Sequence, residues 1–186
     1  MKSKNLLIPD DNANLDSNIQ PSNVLAQLFP LVGTWLGEGK GSDVNGNYSF
    51  KQQITISHSG SNYLNWDSRL WRLDNIDRYE SLIQREIGFW KFTDKHKYDK
   101  LQNIEFTLSS SAGCVELFYG KSINQVSWEL ITDILAYGKS KLTVGRARRL
   151  YGVVEGFDLA YIEERLNTNG ILVPSLSARL SRVATR

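Results

Sequence analysis

Histidine and cysteine, the side chains that most readily move protons, attack substrates or hold metals at neutral pH, number only three in this 186-residue chain. The two histidines both stand among turn residues. His58 in ISHSG reads as a rim or turn position, and His96 in TDKHKYDK as a solvated loop position. Cys114 is the single cysteine, which excludes an internal disulfide and any multi-cysteine metal site; following Gly113, it reads as a small buried residue. Glu38, Glu86, Glu116, Glu129 and Asp133 share no motif, so spacing alone names no acid–base pair. Tyr151 and Tyr161 carry phenols able to bind a metal, but tyrosines within strands usually pack. Arg165, in LAYIEER, has two readings. Either it ends a strand in solvent, or it points inward and requires Glu163, Glu164 or an anionic ligand group, because a buried unpaired guanidinium is costly. GEGKG has neither the spacing nor the strand-to-helix context of a nucleotide-binding loop. No catalytic residue and no metal site is assigned.

The elements that would position these side chains are short, aromatic and β-branched. Candidate strands are 33–41, 48–57, 62–72, 81–92, 102–109, 113–120, 126–135, 141–151, 158–165 and 175–183, separated by turn residues such as Asp43–Asn47, Ser59–Ser61 and Asn167–Gly170. Short connections force sequential strands to pair antiparallel. Ten such strands lose their exposed edges most simply by closing into an up-and-down barrel, with a two-sheet sandwich as the alternative. Ser22 can cap a short helix over 23–29, with Val24, Leu25, Leu28 and Phe29 on one side and Pro30 at its end. Residues 1–21, rich in Asn, Asp and Ser, read as a disordered tail ahead of a single barrel domain at 22–186.

In GTWLGEGKG, residues 33–41, Gly33, Trp35, Gly37, Gly39 and Gly41 share one face of a strand. A face this bare serves either close approach of a flat ligand or a strand that bends to close a barrel, with Trp35 plugging one end; the second is favoured here. The segment resembles the GxWxGxG signature of the nitrobindin family, a heme-binding barrel group once classed with fatty-acid-binding-protein-like, lipocalin-like folds. The resemblance continues through SFKQQITISHSGSNYLNWDSRLW, REIGFWKF, SAGCVELFYG, RRLYGVVEGFDLAYIEE and PSLSARLSR. It implies an all-β, ten-stranded antiparallel barrel with one cleft for a hydrophobic ligand, heme b in characterised members. The family's iron-binding histidine lies in a Pro-His-Leu segment before the last strand; here Pro174, Ser175 and Leu176 stand in that segment. A serine hydroxyl is not a donor iron accepts at neutral pH. The resemblance also places Ile83 and Gln84 where a methionine and a second cavity histidine can occur, and Arg165 where methionine is common. Thr34, opposite the glycine face, is a further pocket candidate.

Three readings follow. The chain is a barrel that binds a hydrophobic or tetrapyrrole-type small molecule without an iron bond; or it is a heme-dependent peroxynitrite isomerase with another axial ligand or none. The third is an interaction or scaffold protein whose barrel holds no ligand, which requires a cavity filled by side chains, with no void beneath Ser175, Gln84 and Arg165. A net charge of +2 disfavours nucleic acid and anionic membranes as partners, and homodimerisation is compatible with the composition. The apolar patch LLIP is too short for a signal-peptide core and no window approaches a membrane helix, so a cytoplasmic location is expected.

Overall fold

The structure, a computed structural model, describes residues 23–74, 76, 78–92, 103–139 and 145–183. The expected tail, His96 and the beginnings of the expected strands at 102 and 141 lie outside these residues. Ten strands follow a short helix: β1 Gly33–Asp43, β2 Gly46–Ser57, β3 Tyr63–Leu73, β4 Tyr79–Phe92, β5 Ile104–Ser110, β6 Cys114–Asn124, β7 Ser127–Tyr137, β8 Ala147–Val153, β9 Leu159–Leu166 and β10 Leu172–Arg182. Each pairs antiparallel with its sequence neighbours, and β1 pairs with β10, from Trp35 opposite Arg182 to Gly41 opposite Leu176. The sheet is therefore a closed up-and-down barrel, and the sandwich alternative falls.

Alternation sets the interior. On β3, Leu64, Trp66, Ser68 and Leu70 are buried while Asn65, Asp67 and Arg69 face outward; on β5, Ile104, Phe106, Leu108 and Ser110 are buried. Where β1, β3, β5, β7 and β9 begin, the interior is aromatic. Trp66, Trp90, Phe106 and Tyr151 meet there at ring-centroid distances of 4.8–5.7 Å, apart from the Trp66–Trp90 pair at 6.1 Å.

The helix covers this aromatic end. It spans Asn23–Leu31 and is a 3-10 helix that includes Pro30, not the helix over 23–29 ended by proline that the sequence suggests. Its period of three stacks Leu25, Leu28 and Leu31 on one side, all fully buried. At about 1.5–3 kcal/mol for each fully buried leucine, these anchor the segment. Trp35 Nε1 donates to Leu31 O at 2.8 Å, and the Arg182 guanidinium lies 4.1 Å from the Trp35 ring and donates to Pro30 O and Val32 O. The first and last strands thus hold the helix together.

The bare face of β1 is filled from its neighbours. A Cβ on Gly39 would lie 2.3 Å from the Phe50 ring and 2.4 Å from Ser177 O, and one on Gly41 2.3 Å from the Tyr48 ring. Two aromatic rings of β2 lie across the glycines, so the protein itself makes the close approach.

Candidate functional site

At the barrel end away from the helix the interior becomes polar. Alternation brings Glu86 of β4, Glu116 of β6, Arg149 of β8, and Glu163 and Arg165 of β9 inward. They form a chain of alternating charge. Arg149 Nη2 donates to Glu86 Oε1 at 2.8 Å, and Arg149 Nε donates to Glu163 Oε2 at 2.6 Å. Arg165 Nε donates to Glu163 Oε1 at 2.7 Å, and Arg165 Nη2 donates to Glu116 Oε1 at 3.0 Å. Side-chain exposure is 1–7% for the three glutamates and 3% and 12% for Arg149 and Arg165. Charges this far from water persist only when fully paired.

Polar side chains complete the pairing. Gln84 Nε2 donates to Glu86 Oε1 at 3.0 Å, Thr132 Oγ1 to Glu116 Oε2 at 3.1 Å, and Arg165 Nη1 to Gly145 O at 2.9 Å. Beside them Tyr161 donates to Gln52 Oε1 at 2.8 Å, and Gln52 Nε2 donates to Ser68 Oγ at 2.9 Å. Burial alone would raise the Glu163 carboxyl, but the adjacent Arg149 and Arg165 guanidiniums hold it below the ordinary glutamate value. Burial opposes charge on Arg149, yet Glu86 and Glu163 outweigh it and push its pKa up. Burial pushes the Tyr151 and Tyr161 phenols up, which makes phenolate ligation unfavourable. The network is a plug held by its own ion pairs.

The residues singled out by sequence divide between the two ends. Gln84 belongs to the network through Glu86, and Arg165 is inward and paired with Glu163 and Glu116, so the solvent-exposed reading of Arg165 does not hold. Ile83 sits at a register shift opposite Leu70/Trp71 and packs against the core. Ser175 is the extra residue of the bulge between Pro174 and Leu176, half-buried at the same end. Thr34 pairs with Thr55 on the outer face at the helix end, away from the other four. His58 is buried beside Phe29 beneath the helix, and burial lowers its pKa. Sequence reasoning missed Arg149. The signal was its place in RARRLYG, in phase with Ala147 and Tyr151, as Glu116 is with Cys114 and Phe118.

Residues 24–182 match the model of the THAP4-like, heme-binding beta-barrel domain. Peroxynitrite isomerase 2 of Mycolicibacterium smegmatis is 54% identical over 178 residues, which cover 95% of this chain and 82% of that protein. The chain belongs to the nitrobindin family. A further relative, the ferric nitrobindin-like protein of Mycobacterium leprae, is 53% identical over 180 residues, covering 96% of this chain and 79% of its own length. The crystal structure of Rv2717c from M. tuberculosis superposes with a TM-score of 0.72 at 20% identity, covering 89% of this chain and all of that one, and shows the same fold.

Between the charged side chains at the polar end of this barrel there is no room for heme. The space among Gln84, Glu86, Arg149, Glu163 and Leu176 has a volume of about 10 Å3, the room one water takes. The five charged groups are committed to one another. Among the described residues, no group of three His, Cys, Asp or Glu side chains has the geometry to hold a metal.

Proposed function

We propose that this chain is a nitrobindin-family barrel that works without ferric heme, as a binding protein whose small-molecule ligand lies outside the filled polar end, and not as an iron-dependent isomerase. The observation that carries this reading is the Glu86–Arg149–Glu163–Arg165–Glu116 chain, whose side chains take up the polar end of the barrel. Admitting a flat macrocycle there would require breaking several buried ion pairs, at about 3–5 kcal/mol for each partner stranded. A second support is the Pro174-Ser175-Leu176 segment, which resembles the family's Pro-His-Leu but carries a poor iron donor in its middle.

Relatives more than 50% identical are named peroxynitrite isomerases, which favours the second reading, a heme-bearing enzyme of the same type. A hemin titration of the purified protein followed by its Soret band separates the two. The proposed reading expects no saturable, sharp ferric band at one equivalent. A stoichiometric five-coordinate spectrum, lost on changing His58 or Tyr161, would overturn the iron-independent reading in favour of the heme-bearing one.

A further inference from the structure

The outer wall of the barrel carries a groove that the fold does not need. It crosses β8, β9, β10 and β1 with a volume of about 810 Å3, and a shallower extension of about 320 Å3 continues to Ser175 at the polar rim. The two parts share Lys40, Ile162 and Ser177. The floor is made of small outward residues in register: Gly152 stands opposite Ala160, and Ser177 opposite both Ile162 and Lys40. Gly152 has no positive φ, and a Cβ added there meets nothing nearer than Ser127 Oγ at 3.4 Å. Neither backbone conformation nor packing requires this glycine, in contrast to Gly39. Its effect is to leave a hollow bordered by exposed Ile123, Val154 and Ile162.

Charge tells the two ends of the groove apart. Every carboxylate lining it has a cation: Glu38 faces Lys51 at 3.8 Å, Glu164 faces Arg148 at 3.4 Å, and Glu163 lies in the buried network. Arg179 is held by Asp158 at 2.7 Å. Lys40 forms no ion pair among the described residues and donates only to Ser49 Oγ at 2.8 Å, with the Ser177 hydroxyl on the neighbouring strand. The main groove thus has an uncompensated ammonium flanked by hydroxyls where the extension joins it and an apolar trough at its far end. Lys40 lies in one row with Ser177, Ile162 and Leu150, and Gly152 is two residues beyond Leu150; three strand spacings and two residues of rise make about 16 Å, the reach of an acyl chain of about twelve to thirteen carbons.

We propose that this groove binds a single-chain aliphatic carboxylate, with the head on Lys40, Ser49 and Ser177 and the chain over Ala160, Gly152 and Val154. The site is on the outside of the barrel, so it is independent of whether the interior takes heme. Sodium dodecanoate below its micelle threshold, titrated by calorimetry and by amide chemical shifts, tests it. One equivalent should bind, with shifts on β8, β9, β10 and β1 and none at Trp66 or Trp90. Affinity should rise up to about fourfold per methylene until the trough is filled. Gly152→Leu, which fills the trough where a side chain has room, should weaken binding at least tenfold with an unchanged melting temperature. Lys40→Gln should weaken dodecanoate up to about fivefold, as for an exposed ion pair, leave dodecanol unaffected, and be rescued by Lys40→Arg. No saturable binding, equal affinity in Gly152→Leu, shifts centred on Trp66 and Trp90, or association with anionic vesicles in place of monomeric dodecanoate would each overturn the proposal.

Discussion

Replacing Arg149 with methionine tests the buried charge chain most directly. Arg149 supplies both strong contacts of Glu86 apart from the Gln84 amide, and one of the two guanidiniums that hold Glu163. Its removal strands a Glu86 carboxylate of 7% exposure with only the Gln84 amide as a partner. The expected loss is about 3–5 kcal/mol, the cost of removing one partner of a buried pair. For a chain of this length that corresponds to a fall in Tm of about 6–20 °C. The neighbouring Arg148, on the outer face with 46% exposure and paired with Glu129 and Glu164, provides the control: Arg148→Met should cost about 0–1 kcal/mol. Urea unfolding monitored by tryptophan fluorescence gives both values. Adding Glu86→Leu to Arg149→Met should recover most of the loss, because the stranded charge is then gone. An Arg149→Met protein within 1 kcal/mol of wild type, or a double variant no more stable than the single, would refute the view that these charges depend on one another.

Three further outcomes follow from the same geometry. Ser175→His alone should not create a ferric Soret band on hemin titration, because the network still takes up the space; a sharp band would show that the five side chains move aside. Glu163 has a lowered carboxyl pKa in the folded state, so its contribution to stability is complete above the unfolded value near 4.5 and is lost as pH falls through the folded value. Urea midpoints should therefore be level between about pH 7 and 5 and fall below about pH 4.5, and Glu163→Gln should flatten that fall. Gly39→Ala, whose Cβ meets the Phe50 ring and Ser177 O, should cost about 1–3 kcal/mol, whereas Gly152→Ala should be neutral or stabilise by up to about 1 kcal/mol in the same assay.

Much of the barrel was legible because the code of a closed antiparallel sheet is local. Alternation in YLNWDSRL and turns such as Asn167–Gly170 fix strand positions before any partner is known. The helix was misread because a period of three and one of 3.6 select nearly the same residues over nine positions, and only Leu31 separates them. At the site, the pairing of Arg165 with Glu163 was within reach, since both lie on one strand two residues apart. Glu86 and Glu116 were visible as carboxylates but not as partners, because their contacts cross the barrel: Arg149 lies 63 positions from Glu86, and Arg165 lies 49 from Glu116. Charges at inward positions of otherwise apolar strands were the available sign. Residue types alone cannot tell a ligand-lined interior from one whose charged side chains pair with one another.

Closure of the barrel between β1 and β10 has a kinetic consequence. The nine hairpin pairings join segments adjacent along the chain, but Trp35 opposite Arg182 joins its two ends. Loop-closure entropy places that pairing late on the folding route, after the hairpins have formed. Until it forms, β1 and β10 are unpaired strand edges, and the helix lacks both Trp35 in place and the Arg182 clamp. The open ribbon is then the species most exposed to association with other chains. Arg182 and Trp35 accordingly act as the latch whose closing ends that vulnerable interval.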